Sequence, residues 1–332
     1  MNLQAFLQRF ALTGLVFMMS FAFAQECVSA QDSYTIGFAN LTEDIVFTQL
    51  VRESIVRAAE EMGNVEIVLA DNRLDGATAL SNTENFLTQG VDGIIHFQTD
   101  EAFGNVIMAR ARSADTPVIA IDIPMPGAVF FGADNYFAGQ LAGESLATWV
   151  NDNWEGSADA MLVLELPQSG PIPAARMQGM LDAFQSNVNT ALEDNQIFRL
   201  DSQNTQEESF RVVSDTLPSI PDATKIVAIS INDGTGLGVI AAAEAAGRSE
   251  QVIVVGQNAD PSGQEEMIKE GSRYLGATAY FPENYGDKLV PAMIDILECR
   301  PVTPAIYVDH VFISQDNLCE YYASDHEGFC TP

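Results

Sequence analysis

Polar side chains directly follow most of the apolar runs that predict β-strands. In an open parallel sheet, ligands bind beyond the carboxyl ends of the strands, so these segments are where a binding site is expected. Carboxylates, amides and an arginine can pair with hydroxyl groups, because each hydroxyl both donates and accepts hydrogen bonds. An isolated Asn232 or Asp100 is equally consistent with a helix N-cap. The segments together predict a site for a neutral polyhydroxylated molecule, and they are residues 40–44, 98–100, 122–124, 166–170, 232–234, 257–260 and 280–282.

Motifs of common catalytic and nucleotide-binding sites are absent from the sequence. There is no Walker lysine motif, no G-x-S-x-G and no H-E-x-x-H. The glycine-rich segment 233–238 lacks the third glycine of a nucleotide loop, because Val239 occupies that position. His96, His310 and His326 are dispersed and are interpreted as structural. We therefore predict no catalytic residue and no cofactor.

Cysteine usage indicates disulfide chemistry rather than a metal site. The sequence has 4 cysteines, namely Cys27, Cys299, Cys319 and Cys330. The last two, with His326, could bind a metal ion, but in an oxidising compartment a disulfide closing this short loop is favoured. No metal is predicted, and the pairing of the cysteines stays open.

The N-terminal segment predicts export from the cytoplasm. Residues 1–24 carry one charge, Arg9, followed by an apolar run and an Ala-Phe-Ala pattern that is typical of a cleaved signal peptide. Cleavage after Ala24 is favoured over Ala30, since cutting after Ala30 would remove Cys27 and leave an odd number of cysteines. Lipid attachment at Cys27 is disfavoured, because the preceding Gln and Glu are not the small residues that such signals need. The expected location is the periplasm.

Composition sets the size class and excludes some partners. The chain has 332 residues, of which 47% are hydrophobic, which is enough for two domain cores. Its 15 Lys and Arg face 46 Asp and Glu, for a net charge of −31. Such a charge repels nucleic acid and anionic membrane surfaces, so neither is an expected partner.

Short apolar runs alternate with helical patterns, as in α/β proteins with parallel sheets. Val51, Ile55, Ala58 and Met62 fall on one helical stripe, and Gly63 follows where a helix would end. Most of the runs are apolar on both faces, which predicts strands covered by helices on both sides. These runs are 34–39, 65–70, 91–97, 117–121, 160–164, 225–231, 252–255 and 274–279, with a strand-like segment at 305–313.

The ordered motifs resemble the periplasmic sugar-binding proteins of ABC importers, of the ribose- and galactose-binding type with a LacI-like core. The resemblance covers residues 34 to about 313. It implies two Rossmann-like lobes with parallel sheets joined by three chain crossings. The first lobe would contain 32–132 and 281–304, and the second 133–280 and the tail 305–332. The motifs that carry it are IGFANLTEDIVF (36–47), GVDGII (90–95), TDEA (99–102), PVIAID (117–122), GADN (132–135), AARMQG (174–179), INDG (231–234) and VGQN (255–258).

The resemblance also implies which residues bind the ligand. Phe47 would stack on a sugar ring, and Asp122 and Arg176 would grip hydroxyl groups from opposite lobes. Two departures argue against ribose itself: Ile123 stands where ribose binders have arginine, and Asn258 where many relatives have aspartate. A neutral ligand remains expected. The full implied set is Asp44, Phe47, Asp122, Arg176, Asn232, Asn258 and Tyr280.

The expected function is capture of a monosaccharide or related polyol by a monomeric protein and its delivery to a membrane-embedded ABC permease. A sensor of the same fold, signalling to a chemoreceptor or histidine kinase, is the alternative. A third hypothesis is a secreted enzyme with Asp122 or Asp233 as base. The identity of the sugar, and the choice between transport and sensing, stay open at this point.

Overall fold

The computed structural model describes residues 32–98 and 100–330. The predicted signal segment, both candidate cleavage positions, Cys27 and Thr99 lie outside the described residues. The strands are β1 (Tyr34–Asn40), β2 (Val65–Asp71), β3 (Gly93–Phe97), β4 (Val118–Ile121), β5 (Val129–Gly132), β6 (Ala160–Glu165), β7 (Ile197–Asp201), β8 (Ile226–Ser230), β9 (Val252–Asn258), β10 (Tyr274–Ala279), β11 (Ala305–Tyr307) and β12 (Val311–Ser314).

Helices connect most of these strands, as the alternating sequence pattern predicts. None of the described helices is long and apolar enough to cross a bilayer. The helices are α1 (Val46–Met62), α2 (Gly76–Gln89), α3 (Glu101–Ser113), α4 (Asn135–Asn153), α5 (Pro171–Asn187), α6 (Gln206–Thr216), α7 (Asp233–Ala245), α8 (Pro261–Met267), α9 (Gly286–Leu297), α10 (Leu318–Tyr321) and α11 (Glu327–Cys330).

The strands form two sheets of six, which confirms the predicted two-lobed α/β architecture. The first sheet has the order β11-β5-β4-β3-β1-β2 and is entirely parallel. The second has the order β12-β10-β9-β8-β6-β7 and is parallel except for β12. Helices α1 and α9 pack on one face of the first sheet, and α2 and α3 on the other. Helices α4 and α5 cover one face of the second sheet, and α6 to α8 the other.

Glycines end the first two helices where the sequence indicates. Gly63 (φ 75°) and Gly90 (φ 75°) both adopt the left-handed conformation, which glycine enters without a side-chain penalty. The predicted stripe of α1 is buried at Val51, Ile55 and Ala58, while Met62 is exposed at the helix end. Local sequence thus fixes the ends of these helices as well as the face they bury.

One predicted strand is wrong, and with it one predicted lobe boundary. The segment 305–313 is not a single strand but two short ones in different sheets: β11 pairs with β5, and β12 with β10. Residues 305–307 therefore belong to the first sheet, although we expected them in the second lobe. The sequence also fails to indicate β5 and β7, because β5 has four residues and β7 is an edge strand with exposed polar side chains.

Three crossings join the two sheets, at residues 133–134, 280–285 and 308–310. The crossings contact one another. The backbone N–H of Asp134 in the first donates to His310 Nε2 in the third (3.0 Å), and the His310 ring packs edge-on against Tyr280 in the second (5.1 Å between centroids). The three segments therefore form one connected hinge.

The tail is closed by the Cys319–Cys330 disulfide, with an S–S distance of 2.08 Å. This confirms the interpretation of these cysteines as a disulfide. His326 contacts Gln264 instead (Nε2 to Oε1, 2.8 Å), and within the described ranges no group of metal-ligating side chains could hold an ion. Cys299 is also disulfide-bonded. The loop packs Tyr322 against Phe281 of the second crossing (6.1 Å between centroids).

Replacing both Cys319 and Cys330 by serine should lower the free energy of unfolding, because the loop they close regains its freedom in the unfolded chain. For a loop of this size the expected loss is roughly 3 kcal/mol. Guanidinium unfolding of wild type and the double variant under non-reducing conditions measures it. Coincident unfolding curves would contradict the assigned role of the disulfide.

Candidate binding cleft

A cavity of about 70 Å³ lies where the carboxyl ends of the strands of both lobes meet. Its walls combine apolar side chains with polar groups from both lobes, a mixture typical of small-molecule sites. The first lobe contributes the polar residues Thr48, Gln98 and Asp122, and the second Ser169, Arg176, Asn204, Asn232 and Asn258. The apolar lining includes Phe47, Phe97, Ile123, Leu166 and Ile231.

Most of the residues implied by the sequence motifs meet at this cavity. Phe47, Asp122, Arg176, Asn232 and Asn258 all line it.

Two expected residues do not line the cavity. Asp44 is exposed, because the turn that precedes α1, in which its N–H donates to Thr42 Oγ1 (3.2 Å), directs it to solvent. Tyr280 is fully buried behind the wall, where its hydroxyl donates to Gln257 Oε1 and its ring lies under the guanidinium of Arg176. A direct contact with a ligand in the cavity is therefore not expected of either residue in this arrangement.

Phe47 is held by aromatic neighbours at the start of α1. Its ring makes edge-to-face contacts with Phe97 (6.5 Å), Tyr280 (6.4 Å) and Tyr285 (5.8 Å). Such contacts favour one ring orientation. Phe47 is only 5% exposed, so the part of the ring that it presents to the cavity is small and fixed.

Arg176 is fixed by contacts from three parts of the chain. Its Nε donates to Asn135 Oδ1 (2.8 Å) at the start of α4, and its Nη1 donates to the carbonyl oxygen of Ile231 (3.1 Å) beyond β8. Its Cζ lies 5.0 Å from the centroid of the Tyr280 ring, a cation–π distance. Helix α5, which carries Arg176, packs so closely on α4 that a Cβ at Gly139 would lie 2.1 Å from the Arg176 carbonyl oxygen. The guanidinium is thus positioned before any ligand arrives.

Asp122 occupies a constrained position at the end of β4. Its backbone is left-handed (φ 59°), which costs energy for a residue other than glycine, and its N–H donates to the carbonyl oxygen of Phe131 (2.8 Å). On the neighbouring strand a Cβ at Gly132 would lie 2.5 Å from Asp122 Oδ1. Glycine at position 132 is therefore what leaves room for this carboxylate.

Burial dominates the electrostatics of Asp122. Burial raises its pKa from 3.8 to about 6, while the positive charge of Arg176 and a hydrogen bond from the Ala133 N–H act in the opposite direction. Among the described residues, its Oδ1 has no hydrogen-bonding partner. An unpaired buried acceptor is costly, so a ligand hydroxyl that donates to it would recover energy on binding.

Asn232 and Asn258 follow β8 and end β9. Asn232 is an N-cap of α7, since its Oδ1 accepts from the Thr235 N–H (2.8 Å), and its Nδ2 donates to Asn204 Oδ1 (2.8 Å). It therefore serves both roles that the sequence left open, as a helix cap and as part of the cavity wall. Asn258 is 5% exposed and has a positive φ of 99°.

Asp233 does not line the cavity, unlike Asp122, the other carboxylate considered as a base. It is fully buried in the second lobe, where it accepts hydrogen bonds from the Tyr274 hydroxyl (2.5 Å) and the Asp260 N–H (2.8 Å). Burial raises its pKa well above the usual value. His96, which contacts Thr83 Oγ1 (3.1 Å), is also buried away from the cavity.

Several cavity residues were not among those the motifs imply. Gln98 and Ser169 lie in segments that follow predicted strands, so strand-end position was the signal that could have found them. Asn204 follows β7, which the sequence did not indicate, and Thr48 lies within α1. For these last two residues the sequence carries no comparable signal.

Asp122→Asn should stabilise the ligand-free protein at neutral pH, because it removes a carboxylate that burial disfavours. The stabilisation that wild type gains from a protonated Asp122 is fully present below pH 3.8 and is lost as the pH rises through about 6. The stability advantage of the variant should therefore grow by up to about 3 kcal/mol between about pH 4 and about pH 7. Urea unfolding of both ligand-stripped proteins at these pH values tests this, and parallel pH profiles would contradict it.

Comparisons with known proteins agree with this architecture. The ribose import binding protein of Bacillus subtilis is 26% identical over 277 residues, which cover 82% of this chain and 85% of that protein. A solute-binding protein of an ABC transporter from Bacillus halodurans, with bound myo-inositol, has a TM-score of 0.76 at 22% identity and covers 89% of this chain and 99% of its own.

Another such protein, from Agrobacterium vitis with bound allitol, has a TM-score of 0.76 at 19% identity and covers 89% of this chain and 100% of its own. At these identities the two structures establish likeness of fold. A family model described as a periplasmic binding protein domain matches residues 36–300. This match spans both lobes and the cleft between them, and the chain belongs to the periplasmic binding proteins.

Proposed function

We propose that this protein captures a neutral monosaccharide or related polyol in the cleft between its lobes and delivers it to an ABC importer. The observation that carries the proposal is the convergence of fixed donors and acceptors from both lobes on one cavity, with Asp122 Oδ1 buried and unpartnered. The 70 Å³ of this cavity exceeds the roughly 10–15 Å³ that one water molecule needs, so the cavity has room for water molecules. Hydroxyl groups of one small polyol would replace such waters.

The charges at the cavity favour a neutral ligand. The described residues that line the cavity include one carboxylate, Asp122, and one guanidinium, Arg176. Their opposite charges balance. An anionic ligand would meet the carboxylate, and a cationic ligand the guanidinium, in a site where burial strengthens both repulsions. A neutral polyol can donate to the carboxylate and accept from the arginine.

The relatives support the same class of ligand. One is a ribose import protein, and two solved structures of the same fold hold myo-inositol and allitol, which are neutral polyhydroxylated compounds. Ile123 and Asn258 still argue against ribose for this chain. We therefore propose the ligand class from the cavity, and the relatives support it independently.

Location, oligomeric state and partner follow from the same proposal. The predicted export signal and the disulfide at Cys319 and Cys330 fit an oxidising periplasm. Both walls of the cavity come from one chain, so a monomer suffices for binding. The partner would be the membrane-embedded permease of an importer, which would receive the ligand-closed form.

A thermal-shift screen tests the proposed function. The panel contains D-ribose, L-arabinose, D-galactose, D-allose, D-tagatose, allitol and myo-inositol, with D-glucuronate and D-glucosamine as charged controls. A neutral compound at 100 times its Kd should add about 2.7 kcal/mol of apparent stability. Stabilisation by a charged control alone, or by no compound, would overturn the proposal.

Arg176→Lys should weaken binding of the sugar found in the screen by roughly ten- to hundredfold. A lysine keeps the charge but lacks the planar fork that contacts Asn135, Ile231 and the Tyr280 ring together. Titration calorimetry measures the change. Arg199→Lys is the matched control, because Arg199 is exposed on the same lobe and pairs with Glu165 (2.8 Å) away from the cavity. Equal affinity of the two variants would contradict the role of Arg176.

A further inference from the structure

Gln98 carries a buried hydrogen-bond donor that has no partner in the part of the chain that the structure describes. The side chain is 2% exposed and lines the cavity one residue beyond β3. Its Oε1 accepts from the Asp100 N–H (2.7 Å), while its Nε2 has no hydrogen-bonding partner within residues 32–98 and 100–330. Leaving a buried amide N–H unpaired is unfavourable for stability, so a residue with this arrangement calls for a functional explanation.

The orientation of the Gln98 carboxamide follows from chemistry. A backbone N–H can only donate, so the atom that faces Asp100 N must be the carbonyl oxygen. The NH₂ group is therefore the free end. Gln98 lines the cavity, and among the described residues no acceptor pairs with its Nε2.

Strand register places Gln98 beside Asp122. Phe97 and Ile121 are paired residues at the ends of the parallel strands β3 and β4. Gln98 and Asp122 directly follow this pair, one after each strand, and neighbouring strands lie about 4.8 Å apart. Both side chains line the same cavity, one with an unpartnered donor and the other with an unpartnered acceptor at Oδ1.

We propose that Gln98 is a specificity-determining residue whose Nε2 donates to a ligand hydroxyl, in concert with Asp122 Oδ1, which accepts from that hydroxyl or its neighbour. The inference rests on the proposed function and adds which ligand group the first lobe would recognise, namely a hydroxyl bound by Gln98 and Asp122. One hydroxyl can satisfy both groups, because it accepts and donates at once. A ligand lacking that hydroxyl would leave two buried polar groups unpaired, which is a strong basis for rejecting it.

The substitution Gln98→Glu tests the donor without disturbing the loop. The introduced carboxyl keeps an oxygen for the Asp100 N–H in both protonation states. When protonated, it can also donate an O–H where Nε2 stood, and when ionised it can only accept. The variant therefore switches the donor on and off with pH while the shape of the side chain stays nearly constant.

Burial and the nearby Asp122 carboxylate should raise the pKa of the introduced carboxyl, and buried glutamates can reach roughly 8–9. Arg176, the other charged group that lines the cavity, is already bound to Asn135 and Ile231. The coupling is mutual, so the introduced carboxyl also raises the pKa of Asp122, and the rise in the ratio of variant to wild-type Kd reports deprotonation of a carboxyl pair that wild type lacks.

The experiment measures Kd by calorimetry for the sugar that gives the largest thermal shift with wild type. The ratio of variant to wild-type Kd should be close to one at about pH 6 and rise at least roughly tenfold by about pH 9, as the donor is lost. Gln185→Glu is the matched control, since Gln185 is a partly buried amide in the second lobe whose groups pair with Leu192. Its ratio should stay constant over this range.

A ratio near one at every pH, or a raised ratio that does not change with pH, would overturn the role of Gln98 while leaving the proposed function intact. Failure of wild type to bind any neutral compound of the panel would overturn the proposed function, and this inference with it.

A second readout uses monodeoxy analogues of the bound sugar. The analogue that lacks the contacted hydroxyl should bind wild type and variant equally at about pH 9. The other analogues should still bind the variant more weakly than wild type at this pH.

Discussion

The cleft depends on burying a carboxylate and a guanidinium in one cavity without a close ion pair between them. Asp122 has a pKa raised to about 6 and an unpartnered oxygen, while Arg176 donates to Asn135 and Ile231. If the two formed a close ion pair, both would be satisfied before a ligand arrived. Because Asp122 Oδ1 remains unpartnered and Arg176 is not paired with it, one hydroxyl of a polyol can donate to the carboxylate and another can accept from the guanidinium.

Several features away from the cavity exist to maintain this arrangement. Gly132 leaves space for the Asp122 carboxylate, and the close packing of α4 on α5 fixes the backbone from which Arg176 extends. Tyr280 supports the guanidinium from below without lining the cavity. A left-handed aspartate and unpaired buried groups are each unfavourable for stability, so the apolar clusters on both faces of each sheet must supply the compensating free energy.

The sequence predicts the repeating α/β units well because apolar runs and helix-ending glycines are local signals. It fails where structure is set by distant contacts. The short β5 has little pattern of its own, and the segment 305–313 reads as one strand because its division arises only when residues 308–310 cross between the sheets. The motifs indicate Asp122 and Arg176, but Asp44 fails to reach the cavity because the turn before α1 directs it outward.

Gln98 illustrates a limit of a different kind. Its position after a predicted strand is visible in the sequence, whereas the pairing of Oε1 with Asp100 and the absence of a partner for Nε2 are three-dimensional facts. Sequence can suggest that an amide lies near a site, but only hydrogen-bond accounting indicates which of its atoms is free.

The position of Arg176 also connects the ligand to the hinge. Its partner Asn135 begins α4 just after the first crossing, and Tyr280 beneath it belongs to the second. Tyr280 in turn packs against His310, which lies in the third crossing and accepts from Asp134 in the first.

A ligand that binds the guanidinium therefore acts on a side chain in contact with the segments that must bend when the lobes move. A ligand that bound only to the Asp122 side would fill the first lobe without engaging these contacts. A ligand shifts the equilibrium between open and closed lobes only by its difference in affinity for the two forms. Molecules that contact both Asp122 and Arg176 are therefore the ones that favour the closed form.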